Sequence, residues 1–445
     1  MLVSCSSPLL IPNPKNTTQT DEQIPERKVK TREMDFARAF QQEDSFFSDT
    51  QTVKTVPYVS SYRYPPFTFS KRPVRVLLRQ SLKETIVYSS SSAELRSHKR
   101  KTTFRGRMLL QAHSSSKVVA SVNNIKKEFD LPCTLFVKGA NLLELGEESF
   151  RGALIISAGS PKTFSVINLL EVEEYLRGVV PLEIGRLKQS EIEALKAQAV
   201  AARTYTYKKM ASGLMNPYDL VCTVADQVYG GANVESSEAD LAVRATADLV
   251  MVYGESIINA YYHSTCGGAT ANVEDVWGME PYPYLRSISD VDVTGNPYCS
   301  WSRAFSWEES WPLDHLSSLL SRYSVEGKLD QPFKGRVKSV VIRDRFPCGR
   351  VKTCSILSSS GEYSCGGDRI RFLVRRNTNE HGILRSAKFQ ISMQGKDKLV
   401  ASGSGYGHGV GMCQTGAIGR ARAGQNFEQI LNAYYSAISI RTISE

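Results

Sequence analysis

Apolar and polar positions change their period twice along this chain. From Pro73 the segment Pro73-Val-Arg-Val-Leu-Leu-Arg alternates, and short apolar runs follow at Met108–Gln111, Lys117–Val122, Thr134–Val137 and Ala153–Ser157. Alternation punctuated by turns such as Lys138-Gly-Ala-Asn predicts strands, so residues 73–168 read as β-rich. The run Thr163–Asn168 leads into a helix, with Asn168 as its cap, Glu171 three residues on, and Leu170, Val172, Tyr175 and Leu176 as its apolar face. After Pro181 a second helix is predicted from Ser190-Glu-Ile-Glu193, with Ile192, Leu195, Ala199 and Ala202 along one stripe and Gly213 as its stop. Ser237–Asp248 reads as a helix, Leu249–Tyr262 as a hairpin bent at Gly254, Ser306–Tyr323 as a Trp-containing helix and Val337–Ile342 as a strand. Cys354–Asp368 reads as a loop insertion, and Asn426–Tyr435 as a last helix. The expected fold class is α+β, a β-rich N-terminal part packed with a mixed α/β part that carries a cleft. Within it, 73–168 is the β-rich part, 169–300 a helix-containing core, 301–400 mixed strands, and 401–440 a Gly-rich segment with the last helix.

Composition narrows the class. The chain has 445 residues, 41% of them hydrophobic and 22% charged, which excludes a fully disordered polymer. No apolar run reaches the ~18–20 residues of a membrane helix. Nine cysteines are too few for a disulfide scaffold of this size. Residues 1–72 lack apolar periodicity and read as a tail. Its first twenty residues hold no acid and are rich in Ser and Thr, a composition that suits either an organellar, chloroplast-type transit peptide or a plain tail. The net charge is +10, and residues 71–130 carry fourteen Lys and Arg against four Asp and Glu, so the remainder sums to zero. The cluster Arg96, Lys99, Arg100, Lys101, Arg105 and Arg107 is either a surface for an anionic polymer or a solvated basic loop. No zinc-finger or RNA-recognition motif accompanies it, which argues against nucleic acid.

Three motifs stand in order. Ile167-Asn-Leu-Leu-Glu-Val-Glu-Glu-Tyr-Leu-Arg-Gly-Val-Val-Pro-Leu-Glu-Ile is followed by Glu193-Ala-Leu-Lys-Ala-Gln-Ala-Val-Ala-Ala-Arg-Thr-Tyr. Then come Asp226-Gln-Val-Tyr-Gly-Gly and Tyr261-Tyr-His-Ser-Thr-Cys-Gly-Gly-Ala-Thr. The last is Gly405-Tyr-Gly-His-Gly-Val-Gly-Met-Cys-Gln-Thr-Gly-Ala. Together they resemble the stage II sporulation protein D family, which includes the amidase enhancer, over about residues 73–440. The resemblance implies a partner in peptidoglycan or a related glycan strand. It implies either a lytic transglycosylase, which leaves a 1,6-anhydro sugar, or a non-catalytic module that binds glycan or activates a wall amidase.

The residues themselves are consistent with glycan chemistry. Glu183 sits in a Pro-Leu-Glu-Ile-Gly turn, which suits a carboxyl presented on a rigid frame; cleaving a glycosidic bond needs an acid for the leaving oxygen. A lytic transglycosylase needs only one, because the sugar's own 6-hydroxyl attacks. Gln198, Arg203 and Tyr205 could line the same cleft, and Arg203 could equally anchor its helix. His408 and Gln414 could bond sugar hydroxyls, or His408 could belong to a structural turn. His263 and Cys266 form a His-x-x-Cys pair. Some members of the resembled family hold a zinc near here, so these two are candidate metal ligands; otherwise His263 lines the cleft and Cys266 is a small buried residue.

Overall fold

The computed structural model describes residues 66–69, 71–213, 216–327, 329, 331–377 and 382–444. Most of the expected tail, and all of the transit-peptide segment, lies outside them. Ordered pairing begins upstream of Pro73: Pro66–Thr68 runs parallel to the C-terminal strand Ser439–Ser444.

An eleven-stranded sheet forms the β-rich part. Its path runs from Val74–Leu82 through Phe164–Leu170, Ala153–Ala158 and Cys133–Val137 to the long hairpin Glu84–Arg96 and Lys101–Ser114, then to Lys117–Val122 and Ile125–Asp130. The basic cluster is therefore a hairpin end, not a loop: Arg96 pairs with Lys101 in register, and Arg105 and Arg107 project to solvent from its strand. Inward alternation of Val87, Leu95, Phe104, Met108 and Leu110 fastens the hairpin to the core.

Against the sheet packs the helix Ile192–Ser212. It is buried on nearly all sides rather than along one stripe, with Gln198, Arg203, Thr204 and Thr206 fully buried beside its alanines. Alanine lets neighbours approach closely. Those neighbours are the helices Ser237–Ala245, Gln414–Arg422 and Phe427–Tyr434 and the strand Leu249–Tyr253. Thr204 and Thr206 bond back to the carbonyls of Val200 and Ala202, which satisfies hydroxyls that burial would otherwise strand.

Four local expectations are corrected. Asn168 is not a cap. It belongs to the strand Phe164–Leu170, donates to the carbonyls of Arg151 and Ala153 and accepts from Tyr229, while the helix Val172–Arg177 starts after Glu171. At the second helix it is Glu191, not Ser190, that reaches back to a free backbone donor, the Lys188 amide. Ser306–Tyr323 is a strand, Ser306–Pro312, followed by a helix, Leu313–Tyr323. Trp307, Glu309 and Trp311 point inward at period two, which fits the pleat. Cys354–Asp368 is a hairpin of Val351–Ser358 with Gly361–Gly366, since Cys354 and Ile356 face Tyr363 and Cys365 from one buried side. Residues 307–401 thus build a second hydrophobic core of their own, around Trp311, Leu320, Val351 and Ile370.

Among the described residues no helix is long and apolar enough to cross a membrane.

Candidate active site

Glu183 closes the one-turn helix Val180–Glu183, with Pro181 in its first turn and Gly185 at φ 89° just beyond. The turn aims the carboxyl at the loop Asp226–Gly231. There the Val228 amide donates to Oε1 at 2.7 Å. The loop can come this close because residue 178 is glycine: a Cβ there would lie 2.5 Å from the Tyr229 ring. Gln227 pins the same loop, accepting from Tyr175 and Thr206 and donating to Tyr262. The sequence singled out this motif without giving it a task; supporting the acid is that task.

Glu183 is 3% exposed. Burial pushes its carboxyl up to about 7, against the Val228 amide and the Gln414 side chain, which both favour the carboxylate. That value lets one group hold a proton and release it near neutrality.

The Gly-rich segment arrives from the far end of the chain. Met412–Cys413 pairs in parallel with Tyr262–His263, and this register brings the second and third motifs together. Gln414 follows, donating to Glu183 and, at 3.3 Å, to Gln198 Oε1. Two amide atoms of this trio have no partner among the described residues, Gln198 Nε2 and Gln414 Oε1, and both are buried. One donor and one acceptor are therefore open beside the acid.

His263 holds the Val410 carbonyl with Nδ1 at 3.2 Å and leaves a buried Nε2 without a partner among the described residues. Burial, then His408 and Arg350, keep it neutral well below the usual imidazole range. Nδ1 then donates and Nε2 is an open acceptor. His408 takes a structural position: its Nδ1 accepts from the Val410 amide and its Nε2 faces the Tyr262 carbonyl at 3.0 Å. A cavity of about 620 Å³ is lined by Tyr205, Lys208, Lys209, Tyr261, Tyr282 and Tyr284 among others. Glu183 does not line it. An aromatic row joins it to the histidines, with Tyr261 4.9 Å from Trp277 and Trp277 4.9 Å from His408. The Tyr205 ring faces the cavity while its hydroxyl donates to Asp226 at 2.9 Å.

Arg203 is separate from this group. Its guanidinium is fully buried, paired at both ends with Glu173 at 2.7 Å and bonded to the carbonyls of Leu249 and Val243. It anchors the central helix and has no hand free for sugar. The His263–Cys266 pair does not fit a shared metal either. Cys266 faces Asp290 and Cys299, at 3.3 and 3.5 Å, and the open His263 Nε2 is not among the donors gathered there.

A family model for stage II sporulation protein matches residues 160–253, the stretch that holds Glu183, Gln198 and Tyr205. A domain of unknown function matches residues 296–411, which includes the whole second core. An uncharacterized protein of Brachyspira hyodysenteriae is 31% identical over 279 residues, 62% of this chain and 68% of that protein. The stage II sporulation protein D of Bacillus subtilis is 28% identical over 286 residues, 61% of this chain and 74% of that protein. The chain belongs to the stage II sporulation protein D family. The amidase enhancer of Bacillus subtilis is 31% identical over 295 residues, 60% of this chain but only 40% of that protein's length. In this family member all three motifs meet at one place, around Glu183, Gln414 and His263, although 231 positions separate the first from the last.

Proposed function

We propose that this protein remodels cell-wall glycan, and that it does so as a lytic transglycosylase with Glu183 as its single acid and base. The observation that carries this reading is a buried carboxyl held near pKa 7 beside two unsatisfied amide atoms. Protonated Glu183 gives its proton to the glycosidic oxygen as the bond to C1 breaks. The 6-hydroxyl of the same sugar then bonds C1, and the carboxylate takes the hydroxyl proton back. No water is consumed, and the enzyme returns to its starting state. Gln198 Nε2, Gln414 Oε1 and His263 Nε2 are the open groups for sugar hydroxyls, and the tyrosines of the cavity offer faces on which rings stack. Because Glu183 is closed off at 3% exposure, a strand must shift its cover to reach it.

The same closure favours a second reading, a module that holds glycan or activates a wall amidase without cutting. Purified, amidase-free glycan strands separate the two. Products ending in 1,6-anhydro sugar, absent with Glu183→Gln, support the enzyme. Binding without any such product supports the module.

A further inference from the structure

Four buried side chains that no local spacing connects meet beside Gln414. Cys266 follows the strand Tyr262–His263, Asp290 and Cys299 lie in the loop before Ser306, and Cys413 caps the helix Gln414–Arg422. Their three sulfurs and one carboxylate oxygen lie within 4.8 Å of one another. A tetrahedral zinc with sulfur at about 2.3 Å sets neighbouring donors roughly 3.5–3.8 Å apart. The Cys266 sulfur is 3.5 Å from Cys299 and 3.3 Å from Asp290, so the cluster has the size of one such ion.

The surroundings suit thiolates. Cys413 Sγ accepts backbone N–H bonds from Cys266 at 3.1 Å and Gly416 at 3.2 Å, and Cys299 accepts them from Gly267 and Gly268. A neutral thiol is a weak acceptor, and a metal-bound thiolate a good one. Positive charge is close by: Arg420 holds Asp290 Oδ1 at 3.0 and 2.9 Å, Arg350 reaches the Cys266 carbonyl, and Lys388 the Gly267 carbonyl. Glycine at 416 keeps the helix end close, since a Cβ there would overlap both Asp290 and Tyr434.

We propose that Cys266, Cys299, Cys413 and Asp290 form a closed zinc site that ties the 266, 290–299 and 413 segments together and so holds Gln414 against Glu183. Three sulfurs select zinc over calcium or magnesium, which take oxygen. Loading releases the thiol protons to solvent and changes no oxidation state. His263 is not a ligand. The site is independent of the glycan-cutting reading, because metal content is measured without substrate.

The test uses the full chain, purified reduced and without chelator, with metal counted by elemental analysis. About one zinc per chain is expected. Cobalt in its place should give the sulfur charge-transfer and tetrahedral ligand-field bands. Cys299→Ser and Cys413→Ser should lose the ion, and His263→Ala should keep it. The cobalt spectrum of the unmutated chain stands even where a cysteine variant fails to fold. The site is overturned by a reduced, zinc-supplemented chain that retains no metal, or by a Cys266–Cys299 disulfide in protein purified with reductant. It is equally overturned if His263→Ala loses zinc while Cys299→Ser retains it.

Discussion

Glu183→Gln keeps the shape of the side chain and removes its charge, so its effect on stability should depend on pH. The folded carboxyl holds its proton up to about 7, whereas the unfolded one lets go near 4.5. Its stabilising contribution is whole below the lower value and is lost as pH climbs to the upper one, on the order of 3 kcal/mol. Thermal melts should therefore show the variant and parent alike at pH 4 and the variant more stable at pH 8. An equal difference at both would deny the raised pKa. Arg203→Ala should cost about 1–3 kcal/mol in urea unfolding, since it takes the donor from the buried carbonyls of Leu249 and Val243 and the partner from the part-exposed Glu173, with glycan affinity per folded molecule unchanged. Unchanged stability with lost glycan binding would restore Arg203 to the cleft. Glu183 was singled out because the resembled motif and the need for one carboxylic acid point to the same position; the turn alone would suit an ordinary loop glutamate equally. For Arg203 the sequence offered both anchoring and sugar binding and could not choose, because its partner Glu173 lies on a different helix, and nothing in spacing links Cys266 to Cys413 or Asp290.

Elements were legible where one period dominated. The central helix announced itself through its alanines, although its burial on all sides depends on partners more than 200 residues away. Ser306–Tyr323 misled because a period-two strand abuts a helix directly, with Pro312, the last strand residue and the helix N-cap, as the one mark between them. Cys354–Asp368 misled because serine and glycine mask the alternation of Cys354, Ile356, Tyr363 and Cys365. The Gly-rich segment read as a tight turn or a place of close ligand approach, and it is a close-packed seam. Gly409 has φ 89°, and a Cβ there would overlap the Arg350 guanidinium, which reaches from the second core to the carbonyls of Ala269 and Cys266. Gly409→Ala should loosen that attachment. Limited proteolysis should cut near residues 345–350 faster, with helix content by circular dichroism retained. Unaltered cleavage rates would show that the seam tolerates the extra methyl.

At the scale of the molecule, the α+β class and the β-rich beginning follow from pattern alone. The separate core at 307–401 does not, since among the described residues its strands pair only with one another and its apolar residues look like any others in sequence. The long hairpin Glu84–Ser114 carries six Lys and Arg against two Glu, a part of the chain's excess positive charge. Lys99, Arg100 and Lys101 are solvated there, where salt screens them. What joins the three motifs is topology: the parallel pairing of Tyr262–His263 with Met412–Cys413 carries Gln414 to Gln198 and Glu183. The most direct measurement of that arrangement's purpose is mass analysis of purified glycan strands incubated with the protein and with Glu183→Gln. The account predicts 1,6-anhydro ends from the parent, fading above about pH 7 as the acid deprotonates, and none from the variant. Anhydro ends produced equally by Glu183→Gln would contradict it.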